Sequence, residues 1–98
     1  MMQLIDNSVI ISEIFTVKND RGIHTRPATE IVKCAAAFDA DIMLSYQKLE
    51  VNAKSILGIL MLTAGRGARI RITANGHDAA EAVQALLDLA ERKFNIKY

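Results

Sequence analysis

The sequence predicts an α+β fold: an open-faced β-sandwich of order β-α-β-β-α-β-α, with a four-stranded antiparallel sheet and three helices on one face. Three observations predict it. The hydrophobic period switches along the chain between about two residues, as in strands, and about 3.6, as in helices. Each helical stretch carries a single apolar stripe, so all three have only one side to bury and share one sheet surface. The length, 98 residues with 51% hydrophobic content, suits one domain with one modest core.

The elements follow in order. After an N-terminal extension over residues 1–12, the folded domain takes residues 13–98 and opens with Glu13 to Lys18, EIFTVK. There Phe15 and Val17 alternate with Thr16 and Lys18, as in a half-buried strand. Beyond the loop NDRGIHT, the run PATEIVKCAAAF sets Ala28, Ile31, Val32, Ala35 and Phe38 on one face and Glu30 and Lys33 opposite, an amphipathic helix. Pro27 fits its first position, where a missing N–H costs nothing. Asp41 to Tyr46 alternate again, and a short strand around Leu49 to Val51 follows a Gln47-Lys48 turn, a hairpin without the usual Asn-Gly signal. Asn52 precedes AKSILGILML, whose leucine content favours a short helix despite Gly58. Gly65 and Gly67 break the chain ahead of ARIRIT, where Ala68, Ile70 and Ile72 alternate with Arg69, Arg71 and Thr73 as the fourth strand. Asp78, three residues before Glu81, caps the closing helix AAEAVQALLDLAERKF, which buries Ala79, Val83, Leu86 and Ala90.

Composition removes several classes of function. With 12 basic against 11 acidic residues and a net charge of +1, the chain lacks the electrostatic grip of a nucleic-acid binder. A lone Cys34 forms no internal disulfide, and at the flank of the first helix's apolar face it reads as a packed, inert thiol. No Cys/His cluster has metal-ligand spacing, so neither metal nor cofactor is expected, and a reducing compartment, the cytoplasm, is the default. No stretch approaches the roughly 20 apolar residues of a membrane span, and MMQLIDNSVIIS has no basic leader, so no membrane insertion is expected.

The chemistry concentrates in Gly22 to Ala28, GIHTRPA. With the helix beginning at Pro27, His24 lies just before it, and the free N–H groups of Thr25 and Arg26 face whatever occupies that space. A helix N-terminus carries about half a positive charge, and the Arg26 guanidinium adds a full one, so this end attracts a phosphoryl group. Imidazole, with an ordinary pKa of ~6.5, is largely available as a neutral nucleophile near pH 7. A phosphoramidate is more labile than a serine phosphoester, which suits a temporary carrier. Taken alone, a histidine before a helix also fits a solvated loop residue. His77, with no arginine or motif beside it, reads as a surface residue, and Arg69 and Arg71 read as a solvated sheet face.

GIHTRPA between a first strand and a first helix, together with VNAKSILG at Val51 to Gly58, resembles the HPr family, the histidine-containing phosphocarriers of the bacterial sugar phosphotransferase system. The resemblance covers Glu13 to about Phe94, and the two motifs lie at the family's separation. It implies that His24 is phosphorylated through Nδ1 by phospho-enzyme I, that Arg26 steadies the phosphate, and that the group passes to a histidine of a sugar-specific IIA domain. Gly22 is then the tight turn, and Pro27 the start of the helix. It also implies that Ser55, which without the family reads as a cap, is a regulatory site for the ATP-dependent HPr kinase/phosphorylase. Lys54 is placed to offset part of a phosphate charge of about −1.5 to −2. Ile56, Leu57 and Leu60, on a short helix apolar almost all round, become a docking patch for partners met briefly by a monomeric carrier. The alternatives are a nitrogen-related regulatory phosphocarrier not coupled to sugar transport, and a regulatory binding module that carries no phosphate. Two features depart from the family: a longer extension before the first strand, and Lys48 in a turn where glycine is common.

Overall fold

Strand β1, Ile10–Thr16, lies at one edge of the sheet and pairs antiparallel with β4, Arg69–Asn75, from Ile10↔Asn75 to Thr16↔Arg69. The computed structural model describes residues 9–97; the first eight residues of the predicted extension and Tyr98 lie outside them. β1 thus starts three residues before the predicted Glu13. The reason is its partner: β4 continues through Thr73, Ala74 and Asn75, whose backbone groups pair with Ser12, Ile11 and Ile10. At the other end Val17 leaves the regular ladder, its N–H donating to Ala68 O at 2.8 Å while its carbonyl accepts from Gly67 N at 2.8 Å.

β2, Asp41–Tyr46, pairs with β4 on one side and with β3, Leu49–Asn52, on the other, which gives the antiparallel order β1-β4-β2-β3. The β2–β3 turn forms without Asn-Gly because Gln47 and Lys48 both take positive φ, 50° and 68°, the pattern of a primed hairpin turn. Three helices cover one face: α1, Thr25–Ala35, α2, Ile56–Met61, and α3, Ala79–Glu91. Ile42, Leu44, Ile70 and Ile72 from the sheet meet Ala28, Ile31 and Ala35 of α1, Ile59 of α2, and Ala79, Val83, Leu86 and Ala90 of α3 in one buried core. The apolar stripes read from the sequence face this core, with Val32 and Phe38 only partly buried against it. The opposite sheet face stays open, with Arg69 and Arg71 exposed and Arg71 donating to Ser12 Oγ at 3.0 Å.

Two predicted caps differ. Asp78 sits at the N-cap position of α3 but makes no side-chain cap bond. Its carboxylate instead accepts from Asp39 N and Ala40 N, at 2.8 and 2.9 Å, tying α3 to the loop after α1. Two backbone donors on a neighbouring loop outcompete one on its own helix. α2 is shorter than the apolar run, because Asn52 Oδ1 is engaged by Lys54 N at 2.8 Å and the helix begins only after Ser55. Beyond α3 the chain makes a single turn, Lys93–Asn95, in which Lys93, Phe94 and Asn95 all take left-handed φ of 55°, 57° and 61°. It seats Phe94 in the core, edge-on to Phe15 with ring centroids 5.9 Å apart.

Candidate functional site

The loop from Val17 to His24 is suspended from backbone groups far along the chain. Gly22 N donates to Asn19 O at 3.0 Å, closing a tight turn, and Ile23 N donates to Ala64 O at 2.9 Å while its side chain enters the core. Gly22 adopts φ +66°; a Cβ there would overlap the Ala64 carbonyl oxygen and approach Gly65 Cα to 2.7 Å. Only glycine fits both the dihedral and the space.

His24 then serves as the N-cap of α1, extended at φ −95°, ψ −164°, and its carbonyl accepts the first helical bond, from Ala28 N at 3.0 Å. The helix therefore begins at Thr25, two residues before the predicted start, and Pro27 is its third residue rather than its first. The proline still costs nothing, since the first-turn N–H groups have no partner within the helix. Its missing N–H leaves Thr25 and Arg26 as the amide donors next to the half-buried imidazole. No acidic residue lies in the first turn, so an incoming anion meets no built-in competitor there. Arg26 is exposed and borders a cavity of about 240 Å³ shared with Thr29, Glu30, Asn95 and Ile96. The Asn95 amide, 3.2 Å from Glu30 Oε1, holds that carboxyl below its ordinary value, helped by Lys33.

Ser55 stands at the N-cap of α2 with its Oγ accepting from Gly58 N at 3.0 Å. Gly58 allows this closeness: a Cβ there would lie 3.2 Å from Val51 Cβ and 3.3 Å from Ser55 Oγ. Lys54, adjacent in sequence, sends its ammonium to Phe38 O at 2.7 Å, so it is committed elsewhere than to the serine hydroxyl. On α2, Ile56 and Leu57 are exposed at 39% and 71%, whereas Leu60 is partly buried against the core and Met61 takes the outward place at 57%. Nothing in the apolar run tells Leu60 from Met61; the six-residue helix turns the later position out.

Other residues fall outside these clusters. Cys34 is half-buried, and burial pushes its thiol up, against a smaller pull from Arg92. His77 is exposed and its Nε2 lies 3.1 Å from Asp39 Oδ2. Asp39, His77 and Asp78 offer ligand atoms within 4.8 Å of one another, a convergence brought about by the fold and invisible as sequence spacing. Among the described residues no helix is long and apolar enough to cross a membrane.

Known proteins resemble this chain over most of its length. A family model described as the PTS HPr component phosphorylation site matches residues 11–92. A crystal structure of HPr from Thermoanaerobacter tengcongensis is 38% identical, covers 90% of this chain and 99% of its own, and superposes with a TM-score of 0.85. The phosphocarrier protein HPr of Bacillus anthracis is 40% identical over 81% of this chain and 94% of its own, with a TM-score of 0.77. A Thermoanaerobacter tengcongensis HPr dimer is 36% identical over 95% of this chain and 98% of its own, at a TM-score of 0.70.

Proposed function

This chain belongs to the HPr family of the phosphotransferase system, and from that premise we propose that His24 is its phosphoryl acceptor, charged by enzyme I and discharged to a IIA domain. In this reading the imidazole Nδ1 lone pair attacks phosphorus, and the bond from phosphorus to the donor group of enzyme I breaks as the new P–N bond forms. The group moves without hydrolysis. One observation carries the reading: His24 caps α1 where Thr25 and Arg26 present their amides and no carboxylate occupies the first turn. Those amides and the Arg26 guanidinium stabilise the phosphoryl oxygens, and the exposed site lets one partner leave before the next arrives. Ile56, Leu57 and Met61, exposed on the neighbouring short helix, serve as the apolar docking patch.

Incubation with enzyme I and labelled phosphoenolpyruvate tests this. The expected label is acid-labile and base-stable and disappears in His24→Ala; label that survives the substitution overturns the assignment. Because a related HPr has been solved as a dimer, sedimentation of this chain before and after labelling establishes whether the carrier works as a single copy.

A second site is supported by Ser55. As the N-cap of α2 its hydroxyl sits at the helix end, where a phosphate is compatible with the fold while its charge opposes docking at the adjacent apolar patch. In the proposed regulation, HPr kinase/phosphorylase transfers phosphate from ATP to Ser55 Oγ. An acid-stable modification lost in Ser55→Ala is the expected result, and no modification by a competent kinase leaves Ser55 as a cap alone.

A further inference from the structure

Two costly features of the chain meet at one hydrogen bond. Asn19, in the loop that leads to His24, is fully buried at 0% exposure, and its Oδ1 has no hydrogen-bond partner among the described residues. Burying an amide oxygen without a partner destabilises a fold, and an aliphatic side chain of similar size avoids that cost. The other cost lies at the far end of the chain, where Lys93, Phe94 and Asn95 take three successive left-handed conformations with no glycine among them. Such runs are strained and persist only where surrounding contacts over-determine them. The meeting point is the bond from Asn19 Nδ2 to Lys93 O at 2.9 Å.

The turn also braces the other side of His24. Asn95 donates to Glu30 on α1 at 3.2 Å and accepts from Arg92 Nε at 3.1 Å, so the same three residues hold both the loop before the imidazole and the helix after it. Two other side-chain ties of this loop, Lys18 with Glu91 and Arg66 with Asp20, are exposed ion pairs, which restrain little in water.

We infer that Asn19 is a positioning residue for phosphoryl transfer at His24: its amide, seated on the carbonyl that the left-handed turn presents, fixes the loop whose end carries the imidazole. This rests on the reading of His24 as phosphoryl acceptor. Asn19 touches no reacting atom and acts through the Asn19–Gly22 turn and the Ile23 anchor.

The test uses the full chain as substrate of enzyme I. Asn19→Ala removes the donor. Lys93→Val puts a β-branched residue at positive φ and displaces the carbonyl, whereas Lys93→Gly keeps the turn and removes only the side chain. Asn19→Ala and Lys93→Val are each expected to lower kcat by about tenfold with KM held within about twofold, and Lys93→Gly to stay near wild type. The double variant Asn19→Ala/Lys93→Val should be no slower than either single one. Thermal melting accompanies each assay. Lowered melting with an unchanged rate per folded molecule makes Asn19 a packing residue and overturns the inference, as does a rate loss shared by Lys93→Gly. If the wild-type chain takes no phosphoryl group, the reading of His24 fails on its own. The tether is then judged by hydrogen exchange at the Gly22 and Ile23 amides. Protection falling about tenfold or more in Asn19→Ala supports it, and unchanged protection sinks it.

Discussion

Replacing Gly22 by alanine tests how the loop before His24 is wedged against the segment after α2. At φ +66° an alanine pays about 1–2 kcal/mol for the left-handed region. Its Cβ overlaps the Ala64 carbonyl, so that oxygen must move, and with it goes the 2.9 Å bond from Ile23 N, about 0.5–1.5 kcal/mol. Relief of the overlap by backbone displacement adds about 1–3 kcal/mol, and the stiffer unfolded chain returns about 0.4–1. The net loss is about 1.5–6 kcal/mol, a drop of roughly 6 °C or more in Tm for a domain of this size. Urea unfolding followed by circular dichroism measures it, with m unchanged. Gly65→Ala is the matched control, since a Cβ there meets nothing within 4 Å, and its stability should hold or rise slightly. If Gly22→Ala melts within about 3 °C of wild type, the loop is not wedged on Ala64 and the reasoning is refuted.

Ser55→Ala removes the acceptor for Gly58 N and should cost about 1 kcal/mol, with Ser55→Asp recovering most of it, as urea titration will show. Leu57→Ala, at a side chain 71% exposed, should change stability by less than about 0.5 kcal/mol yet weaken binding to enzyme I by roughly tenfold in calorimetry. His77 should titrate above its ordinary 6.5 in NMR, chiefly through its bond to Asp39 and then the charge of Asp78, and return toward 6.5 in Asp39→Asn. With the folded value raised, its contribution to stability is complete below about 6.5 and fades as pH climbs through the folded pKa. Asp78 has the opposite sense. The Asp39 and Ala40 amides hold its carboxyl low, so its contribution exists above the ordinary 3.8 and is lost as acid takes the pH down through the folded value.

What the sequence disclosed was periodic or local. The alternation in Asp41 to Tyr46 and in Ala68 to Ile72, and the stripe of Ala28, Ile31 and Ala35, predict burial because each repeats within a single element. The septet around His24 was legible because its cap, cation and proline are neighbours in the chain. What escaped depends on partners remote in sequence. Nothing near Asp78 announces that its carboxylate serves Asp39 and Ala40, nor does Asn19 in a polar loop announce a place in the core. The start of β1 was set by how far β4 runs, and the left-handed Lys93–Asn95 turn has no glycine to signal it.

The tie between Asn19 and the Lys93 carbonyl joins one of the earliest parts of the domain to one of the last to be synthesised. On the ribosome, then, the loop that carries His24 emerges long before this tie can form, and Asn19 meets its partner only once Lys93 has left the exit tunnel. A chain cut short ahead of Lys93 leaves the Asn19 amide nitrogen without that carbonyl.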